Sequence, residues 1–179
     1  MRRIRIVVAY DGTNYCGWQI QPNGITIEEI LNRQISKLTG EDIRIIGASR
    51  TDSGVHALGN VAVFDTESRI PGDRFAYALN QKMPEDIVIV RSDEVQIDWH
   101  PRYQNEISKT YEYHIYNAKV RNPLKNRYST FVSFDLDVEK MRQGAKYILG
   151  EHDFASFCNV RTNAKDTVRT VHEITIKEI

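Results

Sequence analysis

Ser49-Arg50-Thr51-Asp52-Ser53-Gly54-Val55-His56-Ala57 sets a cation, three hydroxyls, a carboxylate and a glycine in consecutive positions. The segment stands between two stretches with strand patterning. A strand end followed by a glycine-bearing turn holds a side chain over a surface. Asp52 is therefore a candidate nucleophile or general base, with Arg50 close enough in sequence to pair with it and keep it ionised. An Asx-turn, in which Asp52 bonds its own backbone and Arg50 is solvated, accounts for the same residues without chemistry.

The other chemical candidates are fewer. Cys16 and Cys158 are the only cysteines and lie far apart, so they form neither a disulfide framework nor a CxxC site. The five histidines include no HxxxH pair. No Walker loop and no GxGxxG occurs, and the expectation is chemistry by side chains alone, with no metal and no cofactor. Asp11-Gly12-Thr13 after a strand suggests phosphoryl transfer through an aspartate, but that mechanism needs a second Asp where Thr13 stands. Asp11 and Asp153 are read instead as turn or cap residues, His56 as structural and Trp18 as a buried anchor.

Lysines and arginines number 24 against 24 acids, which argues against a general nucleic-acid coat but leaves room for a local basic cleft. Lys109, Lys119, Arg121, Lys125 and Arg127 share one stretch with Tyr111, Tyr113, Tyr116 and Tyr128, and Glu112 is its only acid. Cations facing phosphates and rings facing bases suit RNA. From this stretch alone, a solvated hairpin with its ordinary complement of Lys and Arg is the favoured reading. No apolar run reaches the roughly 18 residues of a membrane span, and the basic start Met1-Arg2-Arg3 lacks the apolar core of a secretory leader. A cytoplasmic protein is expected.

The elements that must position these residues follow from periodicity. Ile4, Ile6, Val8 and Tyr10 alternate as one face of a strand. Thr26-Ile27-Glu28-Glu29 has the form of a capping box, and the apolar series through Leu38 is stopped by Gly40. Short strands are expected at Ile43–Ala48 and Asn60–Thr66, a helix opened by Pro71 through Leu79, and a strand at Ile87–Val90. This β-α-β-β-α-β order is the ferredoxin-like split pattern. After His100-Pro101-Arg102 come an expected strand at Thr110–Tyr116, a helix capped by Asp137 and stopped by Gly150, and a strand at Val168–Ile179. The fold class expected is α+β, two tandem ferredoxin-like units over residues 1–100 and 101–179 forming a mixed or antiparallel sheet, the second unit incomplete. Such an incomplete copy reads as part of a longer protein.

Gly47 to Ala57 closely resembles the catalytic signature of the TruA-type tRNA pseudouridine synthases, G-R-T-D-A-G-V-H-A, with Ser49 and Ser53 as mild departures. Tyr10-Asp11-Gly12-Thr13-Asn14-Tyr15-Cys16-Gly17-Trp18-Gln19 is similar to the family's YDGT-x-Y-x-G-W-Q segment. Lys109-Thr110-Tyr111-Glu112-Tyr113 resembles its K-x-Y-x-Y strand, and Gly150-Glu151-His152-Asp153-Phe154 its G-x-H-D-F turn. The resemblance implies isomerisation of uridine to pseudouridine at tRNA positions 38–40 of the anticodon stem-loop, in a cofactor-free reaction by a homodimer. It makes Asp52 the catalytic carboxylate, Tyr111 the ring packed on the uracil and Arg50 a substrate-binding cation. It also implies a further helix and strands with a Met-Val-Arg segment whose arginine pairs with the aspartate. The 179-residue chain alone is accordingly expected to be poorly active. A non-catalytic RNA-binding module of tandem ferredoxin-like units is the alternative; it predicts an RNP-like Lys/Arg-Gly-Phe run, which the sequence lacks.

Overall fold

Alternation along the first strand decides the architecture. In the computed structural model, which describes residues 1–103, 108–158 and 166–179, strand β1 (Arg2–Tyr10) buries Ile4, Ile6, Val8 and Tyr10 on one face. It is the third strand of a four-stranded antiparallel sheet with order β2-β3-β1-β4, where β2 is Ile46–Gly47, β3 Ala57–Thr66 and β4 Ile87–Val95. With β3 between them, β1 and β2 run parallel, the split β-α-β arrangement.

Helix α1 (Ile27–Thr39) begins where Thr26 Oγ1 accepts a hydrogen bond from the Glu29 amide at 3.3 Å. It ends at Gly40, whose φ of 77° is the left-handed cap glycine tolerates best. Ile27, Ile30, Leu31 and Ile35 face the sheet, spaced as one stripe of a 3.6-residue period. Pro71 does not open the expected helix directly. A 3-10 turn (Gly72–Arg74) comes first and α2 (Phe75–Asn80) follows, placing Phe75 and Leu79 in the same core. The Phe75 ring meets Phe64 of β3 edge-on, centroids 5.2 Å apart.

Register is pinned on the opposite face by charge. Arg3 and Asp65 are direct cross-strand partners joined by two hydrogen bonds of 2.7 Å, and Arg5 and Asp93 are likewise partners. The Arg5 guanidinium also lies 5.3 Å from the Trp99 ring. Since a one-residue slip would swap every side chain to the other face, these pairs hold the register of the sheet, and a shift in register between Val8 and Tyr10 then brings Ala57 opposite Tyr10. That pairing carries the 48–56 loop to its place.

The chain divides into two compact units, Met1–Tyr111 and Glu112–Ile179. The second holds a parallel pair, β5 (Ile115–Asn117) with β6 (Thr130–Val132), helix α3 (Val138–Ala145) capped by Asp137, and an antiparallel pair, β7 (Gly150–Asp153) with β8 (Val168–Val171). None of its described residues is fully buried. Several expected elements differ here. The strand forecast at Thr110–Tyr116 is formed only from Ile115, because its ladder partner begins at Thr130, and Tyr111 and Tyr113 lie before it. The strand forecast to Ile179 stops at Val171, opposite Gly150, where β7 begins. Strands β6 and β7 are short and polar or mixed, and no periodicity announces them.

Replacing Thr26 by alanine removes a buried cap acceptor and is expected to cost about 1–2 kcal/mol. Trp18 and Trp99 both lie in the first unit, so urea unfolding followed by tryptophan fluorescence reads this effect directly. Thr26→Ser is expected to retain most of the stability.

Candidate active site

The loop from Ala48 to His56 leaves β2 and enters β3, and its backbone is tied down almost throughout. The Ala48 amide donates to Val61 O at 2.7 Å, and Asn60 Nδ2 donates to Ser49 O at 3.0 Å. Thr51 O accepts from the Trp18 amide at 3.0 Å, and the Gly54 amide donates to Tyr15 O at 3.2 Å. Asp52 to Val55 form a tight turn closed by the Val55 amide on Asp52 O at 3.2 Å, with Gly54 in third place at φ 79°. That position of the turn requires positive φ, which is why glycine stands there.

A second segment, Tyr10 to Trp18, lies directly against this loop. A β-carbon on Gly12 would collide with the carbonyl oxygen of Val55, and one on Gly17 with that of Thr51. Gly17 adds a φ of 80°. The Tyr10 hydroxyl meets Thr51 Oγ1 at 2.9 Å, and burial pushes the Tyr10 hydroxyl pKa up despite its hydrogen bonds to Thr51 and Asn60. The Gly12 amide donates to His56 Nδ1 at 3.1 Å, and Asp11 Oδ1 is also 3.1 Å from that nitrogen. His56 thus links the two segments, in keeping with the structural role expected of it. Trp18 is buried, 2% exposed, and its indole is so close to Gly47 that a β-carbon there would stand 2.6 Å from Nε1. Asp11 Oδ1 accepts from the Thr13 amide and Asp153 Oδ1 from the Ala155 amide, the cap and turn roles read from their sequence context.

At the apex, Asp52 is exposed. Neither the Asx-turn nor the Arg50 ion pair is formed: no hydrogen bond or ion pair joins the Asp52 carboxylate to any described residue. Arg50 is exposed two residues earlier on the same loop, and Tyr111 is 85% exposed outside any strand. No hydrogen bond or ion pair connects Arg50, Asp52 and Tyr111 to one another. An exposed carboxylate on a turn with a tethered backbone can act as a nucleophile or as a base. Among the described residues, no three His, Cys, Asp or Glu side chains form a group that could hold a metal ion. No helix of the described chain is long and apolar enough to cross a membrane.

The basic and aromatic stretch is largely exposed, with several of its side chains engaged in local contacts. Lys119 pairs with Asp135 at 2.7 Å and Arg121 lies 4.8 Å from the Phe131 ring, while Tyr113 bonds Thr130 through its hydroxyl at 2.9 Å. Two contributors to the loop went unforeseen. Arg102 Nε donates to Gly47 O at 2.8 Å, and Asp86 accepts from Tyr15 and Asn14. An isolated Arg or Asp between elements carries no periodicity or motif that would single it out.

The sequence profile of the tRNA pseudouridine synthases matches residues 6–104 and 145–179. The chain is 49% identical over 177 residues to the tRNA pseudouridine synthase A of Acetivibrio thermocellus, covering 99% of this chain and 72% of that protein. The tRNA pseudouridine synthases A of Thermoanaerobacter pseudethanolicus and Brevibacillus brevis are 45% and 44% identical, covering 99% and 100% of this chain and 72% and 73% of their own lengths. The chain belongs to the tRNA pseudouridine synthase family. As a pseudouridine synthase family member it is an isomerase, and the alternative of a non-catalytic RNA-binding module is set aside. Both the Asp52 loop and the segment packed against it lie within the first matched stretch.

Two consequences can be measured. Gly40 has the same positive φ as Gly17 but nothing within 4 Å of its β-carbon position. Gly40→Ala therefore pays backbone strain alone, about 1–2 kcal/mol. Gly17→Ala adds the collision with Thr51 and is expected to exceed that in urea unfolding. The second concerns His100, which accepts from the Arg102 amide through Nδ1 at 3.1 Å, a bond the neutral ring makes. Burial, with Arg102 and Arg3 nearby, holds its pKa below the usual 6.5. The unfolded chain then binds the proton first, so stability falls as pH drops through 6.5 toward the lower folded value. His100→Gln is expected to flatten the difference in urea midpoint between about pH 7.5 and about pH 5.5; an unchanged slope contradicts it.

Proposed function

We propose that this chain converts uridine to pseudouridine at positions 38–40 of the tRNA anticodon stem-loop, with Asp52 as the catalytic carboxylate and no cofactor. The observation that supports this most is an exposed carboxylate without an internal partner, on a turn whose backbone is held by hydrogen bonds on both sides. The energy that shapes the site is placed in the main chain, and the side chain is left for substrate.

The reaction breaks the bond between ribose C1′ and uracil N1, turns the base, and joins C5 to C1′. The C5 proton passes to solvent and N1 gains one, so no redox partner is required. Asp52 enters by attack on C1′, by attack on C6, or by taking the C2′ proton to give a glycal-like intermediate; each needs an ionised oxygen at the nucleoside. The uridine leaves its stack to reach the turn, as it does in other base-modifying enzymes. Tyr111 stacks on the extruded uracil, for which its exposed ring is suited, and Arg50 binds the RNA backbone or the flipped nucleotide as a planar cation. The working form is a cytoplasmic homodimer gripping one tRNA, built from a subdomain over 1–100 that carries the loop and a second, similar ferredoxin-like subdomain from 101 onward.

Tritium release from tRNA labelled at uridine C5 tests the proposal, using the full gene product. Asp52→Asn is expected to slow release by about 10²–10⁴-fold, the range typical of a lost general base or nucleophile, while tRNA binding persists. Equal release from both proteins removes Asp52 from the reaction.

A further inference from the structure

Behind the Asp52 turn stands a polar relay that the chemistry above does not use. Asp86, just before β4, touches the Asp11–Tyr15 segment three times. Its Oδ1 accepts from the Tyr15 hydroxyl at 2.6 Å, its Oδ2 from Asn14 Nδ2 at 3.2 Å, and its carbonyl oxygen from the Asp11 amide at 2.9 Å. Tyr15 is buried, 7% exposed, so its ring is fixed at both ends. Its carbonyl oxygen then accepts two hydrogen bonds from the residues that follow Asp52, the Gly54 amide at 3.2 Å and Ser53 Oγ at 3.2 Å. Both lone pairs of that carbonyl are engaged by the turn.

We infer that Asp86 is a positioning residue for the Asp52 carboxylate, acting through the Tyr15 hydroxyl and the Tyr15 carbonyl on the Ser53–Gly54 turn. The inference rests on the reading of Asp52 as the catalytic group. The relay runs between groups whose removal spares the apolar core. Loss of the Tyr15 hydroxyl leaves the ring in place, and the sheet and helices keep their contacts. What is lost is the constraint on where the Tyr15 carbonyl points, and with it the placement of the turn. Burial and the neighbouring carboxylate both push the Tyr15 hydroxyl pKa up, so it remains a donor throughout the working pH range. A misplacement of about 1 Å at a reacting group can cost about 10²-fold in rate, so even a partial release is readable.

The test measures single-turnover rate constants and half-saturating concentrations for tRNA, again in the full gene product. Tyr15→Phe and Asp86→Ala are each expected to lower the rate constant about tenfold with half-saturation within about twofold of native. Asp86→Asn, whose amide oxygen still accepts from Tyr15, is expected to restore most of the rate. The double variant Tyr15→Phe with Asp86→Ala is expected to be no slower than either single one, because both cut the same relay. Tyr15→Phe keeps the buried ring, so it gives a variant that folds even if Asp86→Ala does not. Native rate constants in these variants, losses that multiply, or a loss carried by half-saturation overturn the inference. Asp52→Asn in the same assay separates the two failures. If it turns over normally, the reading of Asp52 falls and this inference with it. If it is inert while the relay variants are native-like, Asp52 stands and only the positioning role is lost.

Discussion

Two stretches of main chain lie against each other with no side chain between them, and the geometry around Asp52 depends on that contact. Trp18 donates its amide to Thr51, and Gly54 donates its amide to Tyr15. Backbones approach this closely only where a β-carbon is missing, and Gly12 and Gly17 occupy the two places where one would strike a carbonyl of the loop. The contact is sheltered from below by Trp18, which is seated over Gly47, and from the side by Tyr10 on Thr51. A loop that would otherwise sample many conformations is thereby reduced to one.

That arrangement separates two tasks. The sheet and helices α1 and α2 supply stability through a single apolar layer, with Arg3–Asp65 and Arg5–Asp93 setting register on the other face. The loop contributes little burial of its own. Its order comes largely from main-chain hydrogen bonds, and its one carboxylate, Asp52, is exposed. In the proposed isomerisation this is preorganisation: the ordering cost is met in folding and is not taken from the binding energy of the RNA.

How much of this could be read in advance divides along physical lines. The alternation of Ile4 to Tyr10, the stripe of α1 and its Thr26 and Gly40 caps were legible because each is a local pattern with one stable outcome. The β-α-β-β-α-β order of the first unit followed from them. The Asp52 loop was legible as a strand connection with a reactive composition, and its family resemblance sharpened it. The expected Arg50 ion pair was not formed, since two neighbours in sequence need not point at each other when the backbone between them is fixed elsewhere. Asp86, Tyr15 and Arg102 were invisible as site residues because their roles arise from contacts distant in sequence. In the second unit the short strands β6 and β7 carry too few residues for alternation to register, and Tyr111 precedes the strand it was assigned to.

The most direct measurement is a crystal structure of the full gene product bound to tRNA carrying 5-fluorouridine at a target position. An extruded nucleotide with an Asp52 oxygen bonded to, or within about 3.5 Å of, ribose C1′, C2′ or uracil C6 is the result this account predicts. A nucleotide seated against a different carboxylate, with Asp52 turned to solvent, would contradict it.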